Sequence, residues 1–184
     1  MRKIEIKNFC YNCYAIPTIG DGSCFIHSIL QACFRNYERL NTNDRKKLSK
    51  FLRKELSCVL SEEDNGENYY NKLGRGEIKM IGEVVPEYSL PGMKKKLDSN
   101  SWIDISCLEH ISDQLDLDII IIDERRGDVY QTGDKETYFK DRDTIIINYI
   151  DEVHFETIAI STPELVTFFD KDSEIIRELK RRYK

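Results

Sequence analysis

Two runs of consecutive isoleucines, Ile119-Ile120-Ile121-Ile122 and Ile145-Ile146-Ile147, constrain the fold of this chain more than any other feature. Both are short and β-branched; the first is bounded by Asp118 and Asp123, and the second follows Asp143-Thr144. Successive side chains of a strand point to opposite faces, so an unbroken apolar run needs cover on both faces of its sheet. His154 to Ile160 alternates polar and apolar residues and predicts a third strand. The cover has to come from helices. Phe25, Ile26, Ile29, Leu30 and Cys33 repeat at helical spacing behind a turn at Asp21-Gly22, which puts Cys24 in the first turn of an amphipathic helix. A second helix is predicted from Asn43 to Leu60, with Leu48, Phe51, Leu52, Leu56, Val59 and Leu60 on one face and the lysines and arginines between them facing water. A third runs from Ser106 to Leu115, opened by a capping box of Ser106 and Glu109, with Leu108, Ile111 and Leu115 as its buried stripe. Thr162-Pro163 reads as a helix start, and Glu174 to Lys184 as a charged helix. Asn8 to Gly20 reads as irregular and Glu62 to Asn71 as a solvated loop. The order is mixed rather than strictly βαβ, which gives an α+β class: a small central sheet flanked by helices.

With 184 residues, 40% of them hydrophobic, one domain over 1–184 can bury its own core. No window approaches the roughly eighteen apolar residues of a membrane span, and Met1-Arg2-Lys3-Ile4-Glu5 lacks the features of a signal peptide, so the expectation is a soluble cytoplasmic monomer away from membranes. The cysteines at 10, 13, 24, 33, 58 and 107 are expected to be free thiols. A net charge of -5 argues against a nucleic-acid partner and suits a basic protein or peptide. Cys10-x-x-Cys13 is the spacing of half a zinc site, but no second pair follows and a structural site needs four ligands, so no metal or cofactor is expected.

The chemistry concentrates at two places. A thiol attacks only as thiolate, and a helix N-terminus lowers its pKa through unpaired amides and the helix dipole. Cys24 occupies such a position, and Gly22 permits a positive φ in the preceding turn, bringing backbone amides toward the thiol as an oxyanion site requires. Asp21 can hold that turn. A structural turn with a buried cysteine has the same local sequence. A cysteine nucleophile needs a base, and the histidines are His27, His110 and His154. His27 rides the same helix as Cys24, and His110 lies beside the core stripe of its helix in a surface or half-buried place. His154 shares a strand face with Glu156, whose carboxylate can fix the imidazole tautomer. The plainer reading of that segment is a strand-end histidine beside an exposed glutamate.

Gly20-Asp21-Gly22-Ser23-Cys24-Phe25 before an apolar helix resembles the nucleophile motif of ovarian-tumour (OTU) cysteine deubiquitinases, and Val153-His154-Phe155-Glu156 resembles that family's C-terminal histidine motif. Between them, Trp102-Ile103-Asp104, the helix to Leu115 and Asp118-Ile119-Ile120-Ile121-Ile122 follow the same family's succession. The resemblance covers about Ile16 to Ile160 and leaves 161–184 as a C-terminal helical extension. It implies a papain-like fold without a metal, Cys24 as nucleophile, His154 as base, Asp21 shaping the oxyanion site and Glu156 orienting the histidine, where many relatives carry aspartate or asparagine. The substrate implied is the isopeptide bond at the C-terminal glycine of ubiquitin or polyubiquitin. Gly22, Ser23 and Trp102 would then meet the substrate, and Asp151 and Glu152 would pair with arginines near ubiquitin's C-terminus. A catalytically silent ubiquitin-binding module and a papain-like hydrolase of a ubiquitin-like protein are the rival readings. Isoleucine, lysine, asparagine and aspartate are frequent, as in AT-rich genomes, and compact OTU domains occur in viruses and intracellular bacteria as well as eukaryotes; the expectation is a viral or bacterial effector in a host cytoplasm.

Overall fold

The computed structural model describes residues 1–6, 9–64, 66–132 and 141–182. Strands β1 (Arg2–Ile4) and β2 (Asn12–Ile16) precede helix α1 (Cys24–Cys33) and the long helix α2 (Thr42–Val59). A short hairpin, β3 (Glu63–Asp64) and β4 (Glu67–Asn68), leads to α3 (Tyr69–Lys72), α4 (Glu77–Gly82), α5 (Leu90–Asp98) and α6 (Leu108–Leu115). There follow β5 (Leu117–Asp123), β6 (Val129–Gln131), β7 (Asp143–Ile150), β8 (His154–Ser161), β9 (Leu165–Val166), β10 (Phe168–Phe169) and α7 (Glu174–Arg182).

The main sheet runs β1-β2-β8-β7-β5-β6, with β9 on β8 and β10 on β7. The isoleucine runs form its centre: β5 and β7 are parallel, with Ile119 opposite Ile145 and Ile121 opposite Ile147. Alternation then sorts the side chains. Ile119, Ile121, Ile145 and Ile147 join Phe25, Ile26 and Ile29 of α1 and Leu56 of α2 in one core. Ile120, Ile122 and Ile146 join Ile158 and Ile160 of β8 and Ile175, Ile176 and Leu179 of α7 in the other. None of the seven run isoleucines is more than 4% exposed, so each strengthens the sheet by about 1.5–3 kcal/mol of apolar burial. The architecture is α+β, a central sheet between two helical layers. The segment after 160 belongs to it, since β9 and β10 extend the sheet and α7 covers its second face.

Several local expectations are corrected. Asn12 to Ile16, within the stretch read as irregular, is a strand pairing with both β1 and β8; the other end of that stretch, Asn8, lies outside the described residues. The supposed loop of 62–71 contains the β3–β4 hairpin and the turn of α3. Helix α6 starts at Leu108 behind a 3-10 turn, and Ser106 does not cap it. The Ser106 hydroxyl instead donates to Asp104 Oδ1 at 2.5 Å, and the same oxygen accepts the Ser106 amide at 2.9 Å. A local aspartate turn has outcompeted the capping box. Thr162-Pro163 opens no helix: the β-forming pairs Leu165-Val166 and Phe168-Phe169 find open positions beside β8 and β7. In α2 the buried line passes through Ser49, Arg53, Leu56 and Ser57, while Phe51 is 62% exposed. Arg53 thus lies inside, against the rule applied to the basic residues of this helix. Cys33, at the end of α1, is exposed.

Candidate active site

The turn before α1 is built around Gly22, whose φ is +81° and where a Cβ would lie 2.1 Å from the Asn100 carbonyl oxygen. Glycine alone fits both demands. Asp21 Oδ1 accepts the Ser23 amide at 3.1 Å and Nε2–H of His27 at 3.1 Å. The other His27 nitrogen, Nδ1, accepts from the Tyr37 hydroxyl. Burial holds His27 below the ordinary histidine range against the pull of Asp21, and pushes Tyr37 up to about 12. His27 is therefore a neutral strut that fixes Asp21.

Cys24 is the first residue of α1 and is 2% exposed. Burial is the largest influence on its thiol and pushes the pKa up, with Asp21 adding to that; hydrogen bonds from the amides of Phe155, Phe25 and Cys24 itself pull it down. The N-cap, Ser23, makes no side-chain bond to the helix. Those first amides are left for the sulfur. The Phe155 amide brings the start of β8 against the N-terminus of α1, and the residue before it is His154.

His154 opens β8 and is half-buried. Its ring lies along the nucleophile loop: a side chain at Gly20 would stand 3.9 Å from His154 Cε1. The Thr18 hydroxyl donates to the Phe155 carbonyl at 2.5 Å, and its oxygen lies 3.4 Å from His154 Nε2. With its proton committed, that hydroxyl can only accept, so Nε2 carries the proton and Nδ1 has the lone pair. Thr18 went unnoticed in the sequence, where a threonine between Pro17 and Ile19 carries no signal. Glu156 shares the strand face of His154, but its carboxylate meets Arg2 at 3.3 Å. Arg2 also makes a bidentate pair with Glu124 at 2.7 and 2.8 Å, and Asn148 donates to Glu124 at 3.0 Å.

Trp102 stacks on Phe155 at 5.6 Å and on Tyr149 at 6.0 Å between ring centroids, beside a Tyr149–Phe155 stack at 4.7 Å. It braces the strand that carries His154. Asp151 and Glu152 form a left-handed turn between β7 and β8, with φ of +48° and +62°. Glu152 is paired with Arg126, and the adjacent Val153 is 67% exposed. His110, expected at or near the surface, is fully buried; its Nε2–H donates to the Leu56 carbonyl at 2.7 Å, and desolvation takes its pKa down to about 4. Cys10 and Cys13 have separate surroundings, with Cys10 exposed beside Glu178 at 3.5 Å and Cys13 buried.

Arg53, on α2, reaches the site from behind and was not singled out in the sequence. Its Nε donates to the Leu97 carbonyl at 3.2 Å, and Nη1 donates to the Gly22 carbonyl at 3.2 Å and the Ser23 hydroxyl at 3.0 Å. Nη2 donates to the carbonyls of Ser101, at 2.8 Å, and Lys96.

No protein-family model and no curated protein matches this chain by sequence. Solved structures do match it in fold. An OTU domain solved in complex with ubiquitin aligns at a TM-score of 0.61 and 17% identity, over 97% of this chain and 87% of that one. The Hazara virus OTU bound to ubiquitin aligns at 0.52 and 16% identity, over 87% of each chain. The OTU domain of OTUD1 aligns at 0.50 and 12% identity, over 79% of this chain and 85% of its own. This chain has the fold of an OTU domain.

Proposed function

We propose that this chain is a cysteine-dependent deubiquitinase that hydrolyses isopeptide bonds at the C-terminal glycine of ubiquitin. The observation that carries the reading is the convergence of Cys24, the buried first residue of α1, and the His154 ring on the one loop of Gly20 and Gly22. In a fold whose solved examples include ubiquitin complexes, that convergence supplies a nucleophile, a base and donors for an oxyanion.

A thiol held up by burial needs a base, and the lone pair on His154 Nδ1 serves as that base. The thiol proton passes to the imidazole as sulfur attacks the glycine carbonyl carbon, and the carbonyl oxygen takes the negative charge against the amides at the start of α1. The imidazolium returns the proton to the lysine amine as the C–N bond breaks, leaving a thioester. Water then attacks with His154 again as base, releasing the glycine carboxylate and restoring the thiol. Asp21 contributes by holding the turn.

The test is turnover of ubiquitin carrying a fluorogenic C-terminal amide, with Cys24→Ala and His154→Ala checked for folding by circular dichroism. Wild-type turnover that vanishes in both folded variants supports the reading; full activity in Cys24→Ala sinks it. An electrophilic probe at ubiquitin's C-terminus should label Cys24, which a silent binding module would not allow. The same probe built on ubiquitin-like proteins separates the remaining rival.

A further inference from the structure

Arg53 is 2% exposed, and a guanidinium loses its hydration there. A guanidinium has five N–H donors, and the contacts of Arg53 occupy all of them. The acceptors fall in two groups. Lys96 and Leu97 lie in the last turn of α5, whose carbonyls lack helical partners, and Ser101 follows it; Gly22 and Ser23 belong to the turn that presents Cys24. The arginine therefore ties the nucleophile turn to the end of α5.

Its grip on that turn is specific. The Gly22–Ser23 peptide has its carbonyl held by Arg53 and its N–H held by Asp21, so neither end is free to rotate. Ser23 stands where a serine ordinarily caps the helix, yet its hydroxyl accepts from Arg53 and makes no cap bond. We propose that Arg53 is a positioning residue of the active site: it locks the Gly22–Ser23 peptide and diverts the Ser23 hydroxyl, leaving the first amides of α1 to the thiolate and the oxyanion. This rests on Cys24 being the nucleophile.

Arg53→Lys keeps the charge but replaces the planar fork with a compact ammonium of three donors; Arg53→Met removes the charge as well. The measurements are kcat and KM on the fluorogenic ubiquitin substrate, and the pH profile of Cys24 alkylation followed by mass spectrometry. The expected result for folded Arg53→Met is a fall in kcat of about a hundredfold, the scale of one lost oxyanion donor, with KM little changed. The alkylation midpoint should rise in Arg53→Met and move less in Arg53→Lys. A purely structural tie would lower the melting temperature while leaving kcat per folded molecule and the alkylation midpoint at wild-type values, and that outcome overturns the proposal. Should Arg53→Met not fold, Arg53→Lys decides: three donors cannot serve the five contacts of the guanidinium, so the proposal requires a smaller fall in kcat, and a folded Arg53→Lys with wild-type kcat overturns it. The alkylation profile reads the thiol even if ubiquitin is not the substrate, so failure of the proposed activity and failure of this role are distinguishable.

Discussion

The Thr18 hydroxyl oxygen stands 3.4 Å from Nε2 of His154 while giving its own proton to the Phe155 carbonyl at 2.5 Å. One side chain thereby joins the ring to the backbone of the strand that carries it and sets the tautomer with Nδ1 open. Thr18→Val keeps the shape and removes the acceptor. A neutral hydrogen bond contributes about 1 kcal/mol, so kcat should fall roughly five- to tenfold in steady-state assays. Glu156→Gln, whose carboxylate meets Arg2, should cost less than Thr18→Val. A larger loss from Glu156→Gln would return the orienting role to Glu156.

Gly22→Ala tests the turn itself. The new Cβ would meet the Asn100 carbonyl oxygen at 2.1 Å on a residue with φ of +81°, so the turn has to move. The expected outcome is a fall in kcat of about a hundredfold or more with a lowered melting temperature, because the amides facing the thiol move with the turn. A stable, fully active Gly22→Ala would show that the loop geometry is not needed for turnover.

The elements most legible in the sequence were those whose periodicity and burial agree. The isoleucine runs could be nothing but a sheet covered twice, and Phe25, Ile26 and Ile29 could only face it, so α1, β5, β7 and β8 were readable. Legibility failed where long-range pairing decides. Asn12 to Ile16 is a strand because β8 offers it a ladder, and Leu165 to Phe169 pairs for the same reason. Short helices such as α4 carry too few turns for a period, and the Ser89 cap of α5, which accepts the Gly92 amide at 3.2 Å, passed unnoticed beside Pro91. At the candidate site, Cys24, Asp21 and His154 stood out through the resemblance to the OTU motifs, since each of the two segments taken alone reads equally as a structural turn or a strand end. Thr18 and Arg53 act through contacts spanning 136 and about 30 positions, which no local pattern encodes.

His110 gives the fold a dependence on pH. Its folded pKa is lowered from 6.5 to about 4 by desolvation, so the neutral form is the one the fold favours. That stability is fully present above the unfolded value near 6.5 and is lost as pH falls toward 4, a change on the order of 3 kcal/mol. Burial lowers His27 in the same direction. Urea denaturation at several pH values between 7.5 and 4.5, compared for wild type and His110→Gln, checks this. The wild type should lose more stability on acidification than the variant; parallel curves would remove His110 from the account.

The last prediction concerns how a folded protein substrate is held. Large apolar side chains are exposed together on α4 and the turn after it: Met80 at 68%, Ile81 at 38%, Val84 at 81% and Val85 at 38%. Exposed apolar side chains so close in the chain are candidates for contact with a protein partner, and a residue central to an interface typically contributes more than 1 kcal/mol to binding. If ubiquitin docks there, Met80→Glu with Val84→Glu should raise KM for the fluorogenic ubiquitin substrate about tenfold, since a buried charge opposes docking. Hydrolysis of a short fluorogenic peptide carrying only ubiquitin's C-terminal residues should be unchanged, because it cannot span from the thiol to a separate surface. Loss on both substrates would place the effect in the fold or the catalytic loop. Unchanged KM on ubiquitin would move the docking surface elsewhere, with the turn at Asp151 and Glu152 and the exposed Val153 next to His154 as the surface to mutate in its place.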